Sequence, residues 1–242
     1  MSAGAQPPAG SPGGEPPAYS ASVRAQILAT EHWSLLGTRS TTWSEVMSRI
    51  TIHLTVTSAS LVVLALVAQA AGFGDEFIVM SIGLAATSLV LGTLTAARVH
   101  NASQDDAAMI IGMNRIRAAY LEIDPGIAPV LVTAATDDYD GLSRTYTMGM
   151  RRSTFSHVIA STSMFVIVFN GIVAGTLGAL VAHAAGAGTV LTSVVGSLAG
   201  LTYVLVMLEW GRRTFNAAQL PRQVVGERPT GVLPTDPEPQ SR

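Results

Sequence analysis

The sequence contains no cysteine and no lysine, and it has few charged residues. Without cysteine, disulfide bonds, thiolate metal sites and cysteine nucleophiles are excluded. All 14 basic residues are arginine, so the lysine of a phosphate-binding loop is excluded as well. Charged residues make up 12% of the chain, whereas a soluble domain carries about 25%. Together with 48% hydrophobic residues and a net charge of −2, this composition indicates a membrane protein and gives no basic surface for nucleic acid.

Four apolar runs without a charged residue account for this composition, at 50–71, 77–97, 158–182 and 189–208. Each is long enough for a helix to cross a hydrocarbon core of about 30 Å, which takes about 20 residues. Only short turns, 72–76 and 183–188, separate the runs within each pair. We therefore predict an all-α membrane protein with four transmembrane helices in two hairpins and a small cytoplasmic helical layer.

The arginines predict the orientation. All of them lie before the first span, between the second and third spans, or after the fourth, and the two hairpin turns have none. Because positively charged loops stay on the cytoplasmic side, we predict a multi-pass protein with both termini in the cytoplasm. Arginine without lysine, in an Ala/Gly/Val-rich chain, is typical of high-GC coding and indicates the cytoplasmic (inner) membrane of a bacterium.

The chain divides by composition into two tails, two hairpins and two helical segments between them. A second helix is predicted to begin near Ser44, after a first at 22–37, and Asp124-Pro125-Gly126 is predicted to end a helix at 99–123. An apolar Met/Ile stripe on 109–123 is expected to pack on helix 22–37. The predicted segments are 1–20 (disordered), 21–48 (interfacial helix), 49–98 (first hairpin), 99–157 (cytoplasmic helices), 158–210 (second hairpin) and 211–242 (mostly disordered).

Small residues four positions apart in the second hairpin predict close helix packing. The motifs are Gly171-x-x-x-Gly175 and Gly196-x-x-x-Gly200. They suit either an interface within the chain or a homodimer face, although glycine is also common in transmembrane helices generally. Three tryptophans are predicted to anchor helices at headgroup level, namely Trp33, Trp43 and Trp210.

Polar residues inside spans are rare and are candidates for function. The candidates are His53, Asn170 and Glu209, with Gln69 and His157 less deeply placed. His53 and Glu209 both fall near the inner boundary, where they could form an ion pair or a proton site. Alternatively, Glu209 is simply solvated among headgroups. Asn170 is placed to donate a hydrogen bond across a helix interface.

No motif indicates catalysis, a cofactor or a metal. Asp137, Asp138 and Asp140 with Gly141 resemble half of a calcium loop, but the ligating glutamate of that loop is missing, so a solvated turn is the simpler interpretation. Glu31-His32-Trp33 suits either a protonation switch or, more simply, an amphipathic interfacial helix. We predict no enzyme activity.

The string TEHWSLLGTRS at 30–40, with LVAQA at 66–70, resembles a group of uncharacterised actinobacterial membrane proteins. This resemblance implies no activity. The layout of a helix followed by a hairpin is similar in architecture to SLATT-type membrane effectors, which are proposed to form pores. We predict a non-enzymatic scaffold or signalling protein that acts through cytoplasmic helices on a protein partner and forms a homo-oligomer in the bilayer. The alternatives are an oligomeric pore or small transporter and, third, a membrane enzyme.

Overall fold

The structure is a computed structural model that describes residues 19–150 and 161–219, with side chains as far as Thr214 in the last helix. The described residues form α-helices, one 3-10 helix and no strand. Residues 1–18, 151–160 with His157, and 220–242 lie outside them. Residues 211–219 of the predicted C-terminal tail are helical, so the last helix extends beyond the predicted boundary at 210. The elements are α1 (Ala21–Ala71), α2 (Asp75–Ile123), a 3-10 helix (Pro125–Val130), α3 (Tyr139–Tyr146), α4 (Thr162–Ala184) and α5 (Thr189–Gln219).

The first two helices are long and unbroken. The predicted break before Ser44 is wrong, because α1 runs continuously from Ala21 to Ala71. No proline interrupts this stretch, and an interior glycine such as Gly37 costs a helix only about 1 kcal/mol. The predicted end of α2 is confirmed at Ile123. There Asp124 accepts a hydrogen bond from the Gly126 N–H at 2.9 Å and starts the 3-10 helix.

Left-handed glycines close the two helices that precede the short turns. Gly72 follows α1 with φ 76°, and Gly186 follows α4 with φ 82°. Only glycine adopts this conformation without steric cost, and it allows the last carbonyls of a helix to find donors. At the other end of α4, the Ser161 side chain accepts from the Met164 N–H at 3.2 Å. Both turns are therefore specified locally.

The helices contribute to two compact units. The first unit, in its described part, comprises 19–39 and 109–150, and the second comprises 40–108 and 161–219. The prediction had placed the corresponding boundaries at 48/49 and 98/99. The second unit takes residues beyond those positions because Trp43, Val46, Val99 and Ala102 belong to its apolar core.

The core of the first unit comes from the predicted stripe on α2. Ile110, Met113 and Ile116 are buried there, together with Leu142 of α3. The start of α1 lies against this part of α2, since a Cβ added at Gly112 would lie 3.3 Å from Leu35 Cδ1. An ion pair of 2.7 Å between Arg24 and Glu122 joins the same two segments.

The second unit combines an apolar cluster with close backbone packing. Its cluster contains Val46, Ile50, Ala96, Val99, Ala102 and Val166, contributed by α1, α2 and α4. Between α4 and α5, a Cβ added at Gly200 would lie 2.7 Å from the Gly171 carbonyl oxygen, and one at Gly196 would lie 2.9 Å from that of Gly175. All four predicted glycines therefore pack within the chain, where backbones in contact gain dispersion energy that does not depend on water.

Four of the described helices, α1, α2, α4 and α5, are long and apolar enough to cross a membrane. This is the pattern of a multi-pass membrane protein.

Candidate intramembrane polar site

One side of α2 in the second unit is buried, and its residues are small or polar. Ser81, Ser88, Gly92 and Thr95 lie on it at spacings of seven, four and three. Such spacing keeps a single helix face turned towards its neighbours. Small residues of this kind let neighbouring transmembrane helices approach closely. Larger polar side chains that meet such a face inside a predicted span are the candidates for function.

The first contact on this face joins α1 and α2. The Thr57 hydroxyl donates to the His53 carbonyl oxygen at 2.9 Å, and it lies 2.6 Å from the Ser88 hydroxyl. Thr57 has one hydroxyl proton, so Ser88 is the donor in the second bond when Thr57 donates to the carbonyl. Both hydroxyls are thus satisfied, and they fix the register of α1 on α2.

His53 and Asn170 meet one helical turn further along. Their side chains are adjacent and almost fully buried, with 2% and 0% exposed. Neither His53 ring nitrogen nor either polar atom of the Asn170 amide has a hydrogen-bond partner among the described residues. The Phe169 ring meets the imidazole edge-on, with centroids 5.5 Å apart at 85°.

Gly92 makes room for this pair. A Cβ at Gly92 would lie 1.9 Å from Asn170 Oδ1 and 2.5 Å from its Cγ. The asparagine amide therefore rests directly on the α2 backbone, and no other residue type fits at position 92 without movement. Three helices, α1, α2 and α4, meet at this point through one imidazole, one carboxamide and one glycine.

The chemistry of the cluster is that of a neutral polar site. An unpaired buried polar group costs about 1–3 kcal/mol, so two neighbouring ones need an explanation in packing or in function. His53, Asn170 and Gly92 supply no carboxylate to the cluster. Within the part of the chain that the structure describes, no three His, Cys, Asp or Glu side chains converge as metal ligands.

Glu209, the third candidate, pairs within its own helix. Its carboxylate accepts from Arg212 at 2.8 Å and from Arg213 at 2.7 Å. The pair between His53 and Glu209 that the sequence suggested is therefore not formed. Gln69 is exposed near the end of α1. The structure brings His53 together with Asn170 instead.

The three tryptophans lie in three different surroundings. Trp33 is 74% exposed. The Trp43 indole N–H donates to Asp106 Oδ1 at 2.9 Å, so its polar end has a protein partner. The Trp210 ring lies 4.8 Å from the His100 ring.

Sequence reasoning missed the charged residues that tie α1 to α2 beyond the spans. Glu45 accepts hydrogen bonds from Arg98 at 2.7 Å and from Arg49 at 2.9 Å. The bond from Arg98, followed by that from Arg49, holds the pKa of Glu45 below its ordinary value. Asp106, fully buried, was missed as well. Positions 99, 102 and 106 continue the three- and four-residue spacing of the buried α2 face, and this pattern could have indicated Asp106.

The first unit satisfies its buried polar groups within itself. Asn114, fully buried, donates to the Thr136 carbonyl oxygen at 2.8 Å and accepts from Arg117 at 2.7 Å and from Thr145 at 3.0 Å. His32 stacks on Tyr120 with ring centroids 6.4 Å apart. Burial lowers the pKa of His32, and the positive charge of Arg117 lowers it further.

Two carboxylates of the acidic turn also have protein partners. Asp138 accepts from the Gly141 N–H at 2.7 Å and thereby caps α3, while Asp137 pairs with Arg115 at 3.0 Å. The hydrogen bond from Gly141, followed by that from Thr136, lowers the pKa of Asp138. Helix capping thus accounts for the pattern that resembled half of a calcium loop.

No family model, curated protein or solved structure matches this chain. The resemblance of residues 30–40 and 66–70 to an actinobacterial group therefore stays a prediction.

Proposed function

We propose that the protein is a non-enzymatic scaffold or signalling element of the bacterial cytoplasmic membrane, with two transmembrane hairpins and both termini in the cytoplasm. The first unit would be the cytoplasmic helical layer. The distribution of charge supports this orientation: the described part of that unit carries five arginines, whereas 72–76 and 183–188 carry none. Assembly into a homo-oligomer is part of the same proposal.

The observation that carries the proposal is the surface of the first unit. Its buried asparagine has protein partners at both its oxygen and its nitrogen, yet Trp33, Val130 and Val132 are each about three-quarters exposed. Apolar side chains so exposed are unremarkable in lipid. On a unit assigned to the aqueous side, an exposed tryptophan with aliphatic residues favours a protein partner, because aromatic residues are enriched in interfaces.

The core of the second unit favours a scaffold function and argues against an open channel. Val46, Ile50, Val99 and Val166 are packed together in its apolar cluster, on the same three helices that carry the polar site. A chain of water could not pass such a cluster without helix movement. The polar site is therefore enclosed in the conformation described.

Two variants of the full-length chain test the proposal, Trp33→Ser and Val132→Ser. After cross-linking in native membranes and affinity capture, we expect both variants to recover at least tenfold less of the specific partner than the unaltered chain. Val190→Ser is the matched control, since this residue is 80% exposed at the start of α5 and lies at the proposed outer face. Undiminished recovery in both variants, or equal loss in the control, would contradict a partner site on the first unit.

A second candidate is an ion or proton path, and the orphaned polar atoms of His53 and Asn170 favour it. It predicts flux across liposomes containing the purified protein, reduced at least fivefold in Asn170→Ala. Glu209→Ala is the control, because Glu209 lies outside the polar site and pairs with its own helix. An absence of flux in the unaltered protein, or flux unchanged by Asn170→Ala, would reject this candidate.

A further inference from the structure

Arg117 is a half-buried arginine of the first unit that lacks an acidic partner. Its Nη1 group donates to the neutral Asn114 Oδ1 at 2.7 Å, and among the residues that the structure describes its guanidinium forms no ion pair. Arg115, two residues earlier on α2, does form one, with Asp137 at 3.0 Å. A guanidinium held partly away from water without a counter-ion gains from an anion that another molecule brings to it.

His32 of α1 lies beside this guanidinium. The imidazole stacks on Tyr120, with ring centroids 6.4 Å apart and planes at 15°. Tyr120 follows Arg117 by three residues, so both lie on the same face of α2. Within the described part of the chain, neither ring nitrogen of His32 has a hydrogen-bond partner. The two helices therefore bring an imidazole and a guanidinium together with no carboxylate between them.

The two side chains offer donors that match a carboxylate. Because only Nη1 of Arg117 bonds to Asn114, the edge formed by Nε and Nη2 keeps its N–H groups for another acceptor. That edge fits the two oxygens of a carboxylate in a bidentate pair. A neutral imidazole adds one ring N–H. Both side chains are only partly buried, so a ligand can reach them from solvent.

We propose that Arg117 and His32 form a carboxylate-binding site that takes an acidic side chain of the protein partner. This inference rests on the proposed partner function and adds a charged contact to it. Trp33, which directly follows His32, is 74% exposed. A large exposed aromatic residue next to the site favours a peptide segment over a small free anion, because aromatic residues are enriched in protein interfaces.

The probe is a fluorescein-labelled hexaglutamate peptide with a blocked C-terminus. Its binding to the full chain in phosphatidylcholine nanodiscs is measured by fluorescence polarisation at about 0.15 M salt, where distant charges are screened. We expect saturable binding that a hexaglutamine peptide does not show. Arg117→Gln should raise the Kd roughly tenfold, because it removes hydrogen bonds between charged groups. Arg115→Gln, the matched control, removes the same charge from the same helix and should change the Kd less than about twofold.

A second variant guards against a general loss of structure. Arg117→Gln also loses the bond to Asn114, whereas His32→Gln leaves that bond in place and should raise the Kd roughly threefold. The absence of saturable binding by the unaltered chain, or equal Kd values for Arg117→Gln and Arg115→Gln, would overturn the proposal. Inorganic phosphate that binds as tightly as the peptide would also overturn it, since the site would then serve a small anion.

Partner capture in native membranes separates this site from the proposed function. We expect Arg117→Gln and Trp33→Ser both to recover less of the partner than the unaltered chain. Recovery that falls in Trp33→Ser but stays complete in Arg117→Gln would reject the carboxylate site and leave the partner function standing. Complete recovery in both variants would reject the two proposals together.

Discussion

Among the residues that the structure describes, each unit buries one asparagine completely, but the two asparagines are held in different ways. Asn114, in the first unit, donates to one carbonyl and accepts from two side chains. Asn170, in the second, has no hydrogen-bond partner among the described residues and rests on Gly92 and beside His53. A buried amide whose oxygen and nitrogen both have protein partners fixes a loop. A buried amide without bonds contributes shape, and it leaves polar atoms free for another partner.

This difference separates a structural asparagine from a candidate functional one. In the first unit, Asn114 joins α2 to the segment before α3 and to α3 itself, through Thr136 and Thr145. In the second unit, the same residue type lies in a predicted span where hydrogen bonds between helices are expected. The following substitutions test this difference between the two asparagines.

Asn114→Leu should have the largest effect. It leaves the Thr136 carbonyl oxygen and a partly buried Arg117 without their partner, at a cost of about 3 kcal/mol. We expect this loss in denaturant-driven unfolding in micelles, with early proteolysis of 125–150. Asn101→Leu, on an exposed residue of the same helix, is the control and should change stability little. Equal effects of the two variants would show that the bonds of Asn114 are not responsible.

Gly92→Ala should have the second-largest effect. We expect it to lower the free energy of unfolding by about 1–3 kcal/mol, because the added methyl group overlaps the Asn170 amide. Combining it with Asn170→Ala removes the overlap and should restore most of the loss. Gly83→Ala is the control on the same helix, where nothing lies within 4 Å of the added Cβ. A double variant as unstable as Gly92→Ala would contradict the contact between Gly92 and Asn170.

Asn170→Leu should change the free energy of unfolding by less than about 1 kcal/mol, or even raise it. An apolar side chain of similar size removes two unpaired polar atoms and loses no bond. The same denaturant-driven unfolding in micelles measures it beside Asn114→Leu. A loss as large as that of Asn114→Leu would mean that Asn170 has a bonding partner in the membrane.

The smallest of the expected effects is a loss of stability of α3 in acid, which acts through Asp138. Because hydrogen bonds lower the pKa of Asp138 below its ordinary 3.8, its contribution is complete above about pH 4. That contribution is lost as pH falls through the lower value of the folded state. Amide exchange in α3 should accelerate at pH 3 beyond the intrinsic pH dependence. Asp138→Asn should lose this acceleration, and an unchanged response there would assign it to another group.

Much of the fold could be predicted from the sequence because its rules are local. Apolar runs predicted the four long helices, Asp124-Pro125-Gly126 predicted the end of α2, and small residues four apart predicted the contact between α4 and α5. The break in α1 was predicted wrongly, since threonines and a glycine weaken a helix without stopping it. The extent of each unit depended on which long helices pack together, and that is not a local property.

The candidate site was predicted only in part for the same reason. His53 and Asn170 were selected because polar residues in spans are rare. Pairing His53 with Glu209 relied on their similar depth, whereas the partner of a side chain depends on how each helix is rotated. The role of Gly92 follows from the Asn170 side chain above it, and sequence spacing alone does not contain that information.

The orientation of the chain in the bilayer is the central claim, and single cysteines in the cysteine-free chain test it most directly. Gly74→Cys and Gly188→Cys place a thiol in each short turn, where nothing lies within 4 Å of the added Cβ, and Ser143→Cys places one on the exposed surface of α3. In spheroplasts, a membrane-impermeant maleimide should label positions 74 and 188 at once and position 143 only after lysis. Labelling of position 143 in intact spheroplasts, with 74 and 188 protected, would contradict the account.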